Sequence, residues 1–224
     1  MEQHDIAAAH LLRGAVHQIL NAPVFPIQGI HAPLDHLVAL RPGSEHHLVV
    51  VIPIGRAEQP GTRAGEGLGL VAHGFQLLGD FFRAQLEIAR RVSLPVIIHS
   101  RDAAGDTFDM IKSSEGVHGV LHSYSGSAEM AVQYVKLGWY LSFSGPLTYK
   151  NSRGVKESAA VVSEDRILIE TDCPYLPPTP HRGEINYSGY LKYTCAALAE
   201  IRGITYDEAA RLTETNAKHF YSID

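Results

Sequence analysis

The chain has 224 residues, of which 45% are hydrophobic and 19% charged, and its formal net charge at pH 7 is −5. This length suits one sizeable α/β domain rather than two, and the composition is that of a soluble globular protein. The negative charge argues against bulk electrostatic binding of nucleic acid. The sequence shows no apolar run long enough for a membrane span, no basic leader followed by an apolar stretch, and only two cysteines. We therefore expect a cytoplasmic protein that does not associate with membranes.

The first 80 residues have an irregular pattern. A helix is compatible with 5–20, and apolar runs over 25–31 and 48–54 are typical of strands. The stretch 55–67 is dense in Gly and Pro, which indicates a loop.

From residue 81 onward, helical and strand patterns alternate. The predicted helices are 81–91, 103–113, 127–137, 151–162, 187–202 and 206–219, and the predicted strands are 95–99, 119–122, 139–143 and 167–170. Thr205, followed by Asp207 and Glu208, predicts a capped start for the last helix. Four strands separated by helices form half of a (β/α) barrel. A full barrel of eight units usually needs about 250 residues, and this chain can supply six or seven strands.

Three apolar runs each end in a side chain that can bind a metal. The runs close at His99, His122 and Asp172. A run that is apolar throughout predicts a strand buried on both faces, and active sites of parallel α/β folds lie at the carboxyl ends of such strands. We therefore expect these three side chains to lie together, within about 10 Å, because metal–ligand bonds are only about 2 Å long. The pattern indicates a metallohydrolase site.

Five ordered motifs support a family resemblance: His99-Ser-Arg-Asp, Leu121-His-Ser-Tyr-Ser-Gly, Phe143-Ser-Gly-Pro, Glu170-Thr-Asp-Cys-Pro-Tyr and Pro180-His-Arg-Gly followed by Asn186. Together they resemble the TatD family of metal-dependent deoxyribonucleases. The resemblance implies a TIM (β/α) barrel of the metallo-dependent hydrolase type and hydrolysis of DNA with two divalent metal ions. It also implies that His99, His122 and Asp172 are metal ligands, with Asp172 taking a proton from the attacking water. Imidazole and carboxylate donors suit Mg, Mn or Zn, and the choice among these ions stays open.

The chain departs from the family pattern at its front. The family opens with a strand that ends in His-x-His, and this sequence contains no such pair. Residues 29–31 resemble the family's third strand, so we expect the first βα unit of the barrel to be missing. We expect a single domain over 1–224, with a clear resemblance over 81–222 and a divergent 1–80. An open sheet edge would favour association of copies of the chain.

The bridging glutamate of the family has two candidate positions. One register places residues 65–70 on the fourth strand and makes Glu66 the metal ligand. The other places residues 50–55 there and puts Arg56 at the ligand position. His31 is interpreted as a group near the ligands or the substrate, not as a ligand.

Cationic side chains follow several strands. Arg101, His181 and Arg182 are candidates for holding the phosphate backbone of DNA, whereas Lys150 is better explained as an ordinary exposed lysine. Besides a DNA phosphodiesterase, two alternatives stay open: an amidohydrolase acting on small molecules, and a non-catalytic remnant of the family. Without the His-x-His pair, we expect slow cleavage of DNA.

Overall fold

The fold is known from a computed structural model that describes residues 50–54, 67–101 and 103–223. The strands in this part are β1 (Val50–Ile54), β2 (Val96–Ser100), β3 (Gly119–Leu121), β4 (Tyr140–Phe143) and β5 (Ile167–Ile169). The α-helices are α1 (Gly67–Val92), α2 (Ala104–Lys112), α3 (Ala128–Lys136), α4 (Arg153–Val161), α5 (Leu191–Arg202) and α6 (Tyr206–Tyr221). Short 3-10 helices lie at Gly145–Thr148, Glu164–Arg166 and Ser188–Tyr190.

The strands form one parallel sheet in the order β1-β2-β3-β4-β5. Each of β1 to β4 pairs with the next strand along the chain, and a helix connects each pair. This is the repeating unit of a (β/α) barrel, so the predicted fold class is confirmed. Over the described residues, β1 and β5 are the two edges of the sheet, which is therefore open.

The predicted strands from residue 95 onward match the structure to within one or two residues. The main difference is α1, which begins at Gly67 and not near residue 81. Four glycines lie between 67 and 79, and each costs a helix about 1 kcal/mol relative to Ala. This low propensity explains why the sequence alone indicated a later start. The predicted helix over 5–20 and the predicted strand over 25–31 lie outside the described residues.

The sheet is covered on both faces, as the uniformly apolar strands predicted. On one face the main core packs the sheet against the helices, with Leu86, Ile98 and Leu141 each at most 1% exposed. On the other face, hereafter the inner face, Val120, Tyr140 and Leu168 pack against Phe220 of α6. Alternate residues of a strand point to opposite faces, and the inner face therefore collects every second residue.

Helix α6 is fixed at both of its ends. Its amino end carries the predicted cap, in which Thr205 and Glu208 bond each other's backbone N–H groups. Further along, the buried Asn216 amide donates to the carbonyl oxygens of Glu164 and Ile167, at 2.6 and 2.8 Å. These bonds join α6 to the start of β5 and place Phe220 against the inner face.

Among the described residues, no helix combines the length and apolar character that crossing a lipid bilayer requires.

Candidate metal centre

The three residues that end the apolar runs lie side by side at the carboxyl edge of the sheet. His99 lies in β2, and His122 directly follows β3, where its N–H continues the ladder by donating to the carbonyl of Ile98 at 2.9 Å. The ring centres of His99 and His122 are 5.5 Å apart. Asp172 follows β5, and its Oδ1 lies 3.3 Å from Nε2 of His122. The predicted clustering of these side chains is therefore observed, whereas their role as ligands stays a proposal.

A fourth residue, Glu170, joins this cluster. Its N–H donates to the carbonyl of Phe143 at 2.9 Å, so it continues β5 and points to the same face as Leu168. Its Oε1 lies 2.6 Å from Nδ1 of His122. Glu170 belongs to one of the five sequence motifs, but the motif alone did not indicate its role. The two-residue alternation along β5 was the signal that could have found it.

The two carboxylates determine the charge of His122. Burial opposes protonation of this imidazole, but the adjacent Asp172 and Glu170 outweigh burial and raise its pKa to about 10. In contrast, burial lowers the pKa of His99, and the neighbouring His122 lowers it further. Without a metal ion, the two carboxylates thus favour the protonated form of His122, whereas burial favours the neutral form of His99; a cation bound at Nε2 of His122 would displace the proton there.

The turns that carry the cluster have unusual backbone angles. Ser123 has φ 47° and Asp172 has φ 57°, both in the left-handed region that residues other than glycine rarely adopt. Such conformations persist where the surroundings fix them, and they concentrate at functional sites. The Ser123 hydroxyl contacts that of the buried Ser144 at 2.6 Å, which links the turns after β3 and β4.

The loop after Asp172 is held by Asn186. Its buried side-chain amide donates to the carbonyl oxygens of Thr171 and Tyr175, at 2.5 and 2.6 Å. The motif residue Asn186 thus closes the loop that begins at the site.

The predicted cationic residues have different surroundings. Both ring nitrogens of His181 are engaged, Nδ1 by Glu184 at 3.0 Å and Nε2 by the Tyr193 hydroxyl at 3.1 Å. Its ring also stacks on Tyr190, with centres 3.9 Å apart, so its contacts are those of a residue that holds its loop together. Arg182 is exposed, with its guanidinium 4.3 Å from the centre of the Tyr149 ring.

Two further cations are exposed: Arg101, directly after β2, and Lys150, seven residues after β4. Arg101 and Arg182 are therefore better placed than His181 to meet a phosphate group from solvent.

The register that placed residues 65–70 on the strand beside β2 is wrong. Residues 67–70 are helical, and β1 occupies that position, with Val50 opposite Val96. The glycines and leucines of 67–70 are compatible with either a strand or a helix. Four residues are too few for an alternating pattern to distinguish the two. Glu66 lies outside the described residues, as do Arg56 and His31, so their predicted roles stay predictions.

The donor types of the cluster fit a divalent cation, since imidazoles and carboxylates are ligands of Mg, Mn and Zn. The buried Oε1 of Glu170 forms no regular hydrogen bond with the described residues, although Nδ1 of His122 lies 2.6 Å away. Within the described part of the chain, no three His, Cys, Asp or Glu side chains surround one point closely enough to hold a metal ion as they stand. The described residues thus provide suitable donors without a complete ligand shell.

Known proteins share this arrangement of sequence and fold. The profile of the family described as TatD related DNase matches residues 72–222. The chain is 44% identical over 147 residues to the uncharacterized metal-dependent hydrolase YabD of Bacillus subtilis (strain 168), an alignment that covers 65% of this chain and 58% of that protein. It is 36% identical over 147 residues to the uncharacterized metal-dependent hydrolase YcfH of Escherichia coli (strain K12), covering 65% and 56%.

Among solved structures, the chain is similar to YJJV, a TatD homologue from Escherichia coli K12, with a TM-score of 0.64 and 27% identity. This match covers 67% of this chain and 59% of the other. The chain thus spans less than two thirds of the length of the relatives that it matches. Since the family profile covers more than half of its residues, the chain belongs to the TatD related DNase family.

Proposed function

We propose that this chain is a divalent-metal-dependent hydrolase whose substrate is DNA and whose centre includes His99, His122 and Asp172. The observation that carries the proposal is the position of His122, between two carboxylates and beside His99 at the carboxyl edge of a parallel sheet. Family membership supports metal-dependent hydrolysis, and DNA is the substrate class that the family name indicates.

The proposal assigns the residues to three tasks: metal binding, proton transfer and contact with phosphate. His99 and His122 would hold a divalent ion, together with Asp172. Such an ion supplies charge stabilisation for phosphate oxygens and makes water more acidic. Asp172, whose carboxylate is 22% exposed and lies beside His122, would accept a proton from the attacking water. Arg101 and Arg182 contact the phosphate backbone from the solvent side.

A non-catalytic remnant is the second candidate, and a specific observation favours it. The sequence contains no His-x-His pair, and the described residues form no complete metal-binding group. Loss of a metal ion removes charge stabilisation worth several kcal/mol, so we propose that the chain cleaves DNA more slowly than a family member with the full ligand set.

Two measurements separate the candidates. One is DNA hydrolysis in excess Mg²⁺ or Mn²⁺ by the wild-type chain and by an Asp172→Ala variant, and the other is the number of metal ions bound per chain. The matched control is Asp165→Ala, which removes an exposed carboxylate near the opposite end of β5. Cleavage that is slow, requires metal and is lost only in Asp172→Ala supports the hydrolase. Equal background rates for all three proteins support the remnant.

A further inference from the structure

Glu170 is the carboxylate of the cluster that the proposed reaction does not use. Its side chain is only 18% exposed, and its Oε1 is fully buried. A buried carboxylate oxygen is costly unless a partner compensates for the lost water. Among the described residues, the atom placed to do so is Nδ1 of His122, 2.6 Å away.

The imidazole of His122 separates the two carboxylates. Glu170 faces Nδ1, whereas Asp172 faces Nε2 at 3.3 Å, on the side of the ring away from Nδ1. The oxygen of Glu170 that contacts the ring is therefore poorly placed to share a metal ion with Asp172. A group that engages one nitrogen of an imidazole determines which nitrogen faces the metal, and it also fixes the rotation of the ring.

We infer that Glu170 is a positioning residue, which engages Nδ1–H of His122 and thereby keeps Nε2 turned toward Asp172 and the proposed cation. The part of this inference that concerns the cation rests on the proposed function. The orientation of the ring by Glu170 does not depend on it.

His181 provides a matched control within the same chain. Its Nδ1 lies 3.0 Å from the carboxylate of Glu184, but its Nε2 contacts the Tyr193 hydroxyl and not a carboxylate of the cluster. Glu184→Gln therefore alters a carboxylate–histidine pair of the same kind outside the cluster.

The experiment compares the wild-type chain with Glu170→Ala, Glu170→Gln and Glu184→Gln. The first measurement uses metal-free protein labelled with ¹⁵N-histidine at pH 7, in which the ring N–H signals of His122 are assigned by comparison with His122→Gln. The second is the affinity for Mn²⁺ by titration calorimetry. Circular dichroism establishes that each variant is folded.

We expect Glu170→Ala to lose or shift the Nδ1–H signal of His122 and to bind Mn²⁺ about 10- to 100-fold more weakly, the range that partners of ligand histidines show. The amide oxygen of Glu170→Gln can still accept from Nδ1–H, so this variant should keep the signal and lose less affinity. Glu184→Gln should leave the Mn²⁺ affinity unchanged.

An unchanged His122 signal in folded Glu170→Ala would overturn the inference, whatever the metal affinity. Equal loss in Glu170→Gln and Glu170→Ala would also overturn it, because the effect would then come from the charge and not from the orientation of the ring. If the wild-type chain binds no Mn²⁺ while Glu170→Ala still loses the ring signal, the proposed metal-dependent function fails and the orienting role of Glu170 stands.

Discussion

His122 and Asp172 are in contact across an intervening strand. Nε2 of His122 lies 3.3 Å from Oδ1 of Asp172, yet His122 follows β3 and Asp172 follows β5, with β4 between them in the sheet. The chain after β5 also turns back over the end of β4, where the backbone of Leu176 and Pro178 lies close to Gly145. Asp172 begins this turn with φ 57°, and the residues at the end of β4 are small, Ser144 and Gly145.

Gly145 is the residue whose size limits this crossing. A Cβ atom there would collide with the backbone carbonyl oxygen of Leu176 and press on the backbone nitrogen of Pro178. We expect Gly145→Ala to displace the loop after β5 and to lower the free energy of unfolding by about 1–3 kcal/mol, as overpacking of buried sites does. Urea denaturation measures the change.

Gly154, in α4, is the control for Gly145. A Cβ atom there would meet nothing within 4 Å, so Gly154→Ala should stabilise the helix by up to about 1 kcal/mol. If the two substitutions change stability equally, the close approach at Gly145 does not constrain the loop.

At Ser123, the left-handed backbone should make glycine a more stabilising substitution than alanine, whereas alanine is usually the more stabilising of the two. Both Ser123→Ala and Ser123→Gly remove the hydroxyl that contacts Ser144, but only glycine adopts φ 47° without strain. We expect Ser123→Gly to be more stable than Ser123→Ala by about 1 kcal/mol, the order of the left-handed penalty. Chemical denaturation of both variants gives the difference directly.

At Ser158, inside α4, the Ala variant should instead be more stable than the Gly variant, since glycine costs a helix about 1 kcal/mol relative to alanine. A more stable Ala variant at both positions would show that Ser123 is not held in the left-handed region.

The pH dependence of stability should reveal the ion pairs of α1. Hydrogen bonds from Arg90 and Arg91 lower the pKa of Glu87 from 4.5 to about 2. A carboxyl group with a lowered pKa stabilises the fold above its ordinary pKa, and this contribution is lost as the pH falls toward the folded value. The melting temperature of Glu87→Gln should therefore lie slightly below that of the wild type at pH 6, because exposed pairs contribute little.

The two melting temperatures should converge as the pH falls from about 4.5 to about 2, the interval between the two pKa values of Glu87. A difference that persists unchanged at pH 2 would rule out the ion pairs as its source.

The two cysteines should differ in reactivity. Burial raises the pKa of the Cys195 thiol to about 11, and its side chain is 3% exposed, whereas Cys173 is exposed. The thiolate is the reactive form, so at pH 8 a disulfide reagent such as DTNB should modify one thiol per native chain and two after denaturation. Two rapidly reacting thiols in the native chain would contradict the buried position of Cys195.

The strands and the clustering of His99, His122 and Asp172 could be predicted from the sequence because both depend on local patterns. The apolar run before His122 is bounded by Gly119, and its length fixes where the polar side chain emerges. His99 and Asp172 were identified from the same pattern, because each also ends an apolar run.

Other features depend on contacts between distant parts of the chain. Helix α1 begins at Gly67 although four glycines lie between 67 and 79, an extension that propensity alone does not predict. The contacts of His181 with Glu184 and Tyr193 depend on how its loop folds, so spacing could indicate only a cationic residue near the site.

The position of Phe220 has a consequence for the order of events during synthesis. Phe220 packs on Val120, Tyr140 and Leu168, yet the ribosome adds it after all three. The part of the inner face that Phe220 covers therefore stays exposed in the nascent chain until α6 has emerged, and an apolar surface exposed in this way promotes aggregation. Chains that stall before residue 220 should therefore depend on chaperones.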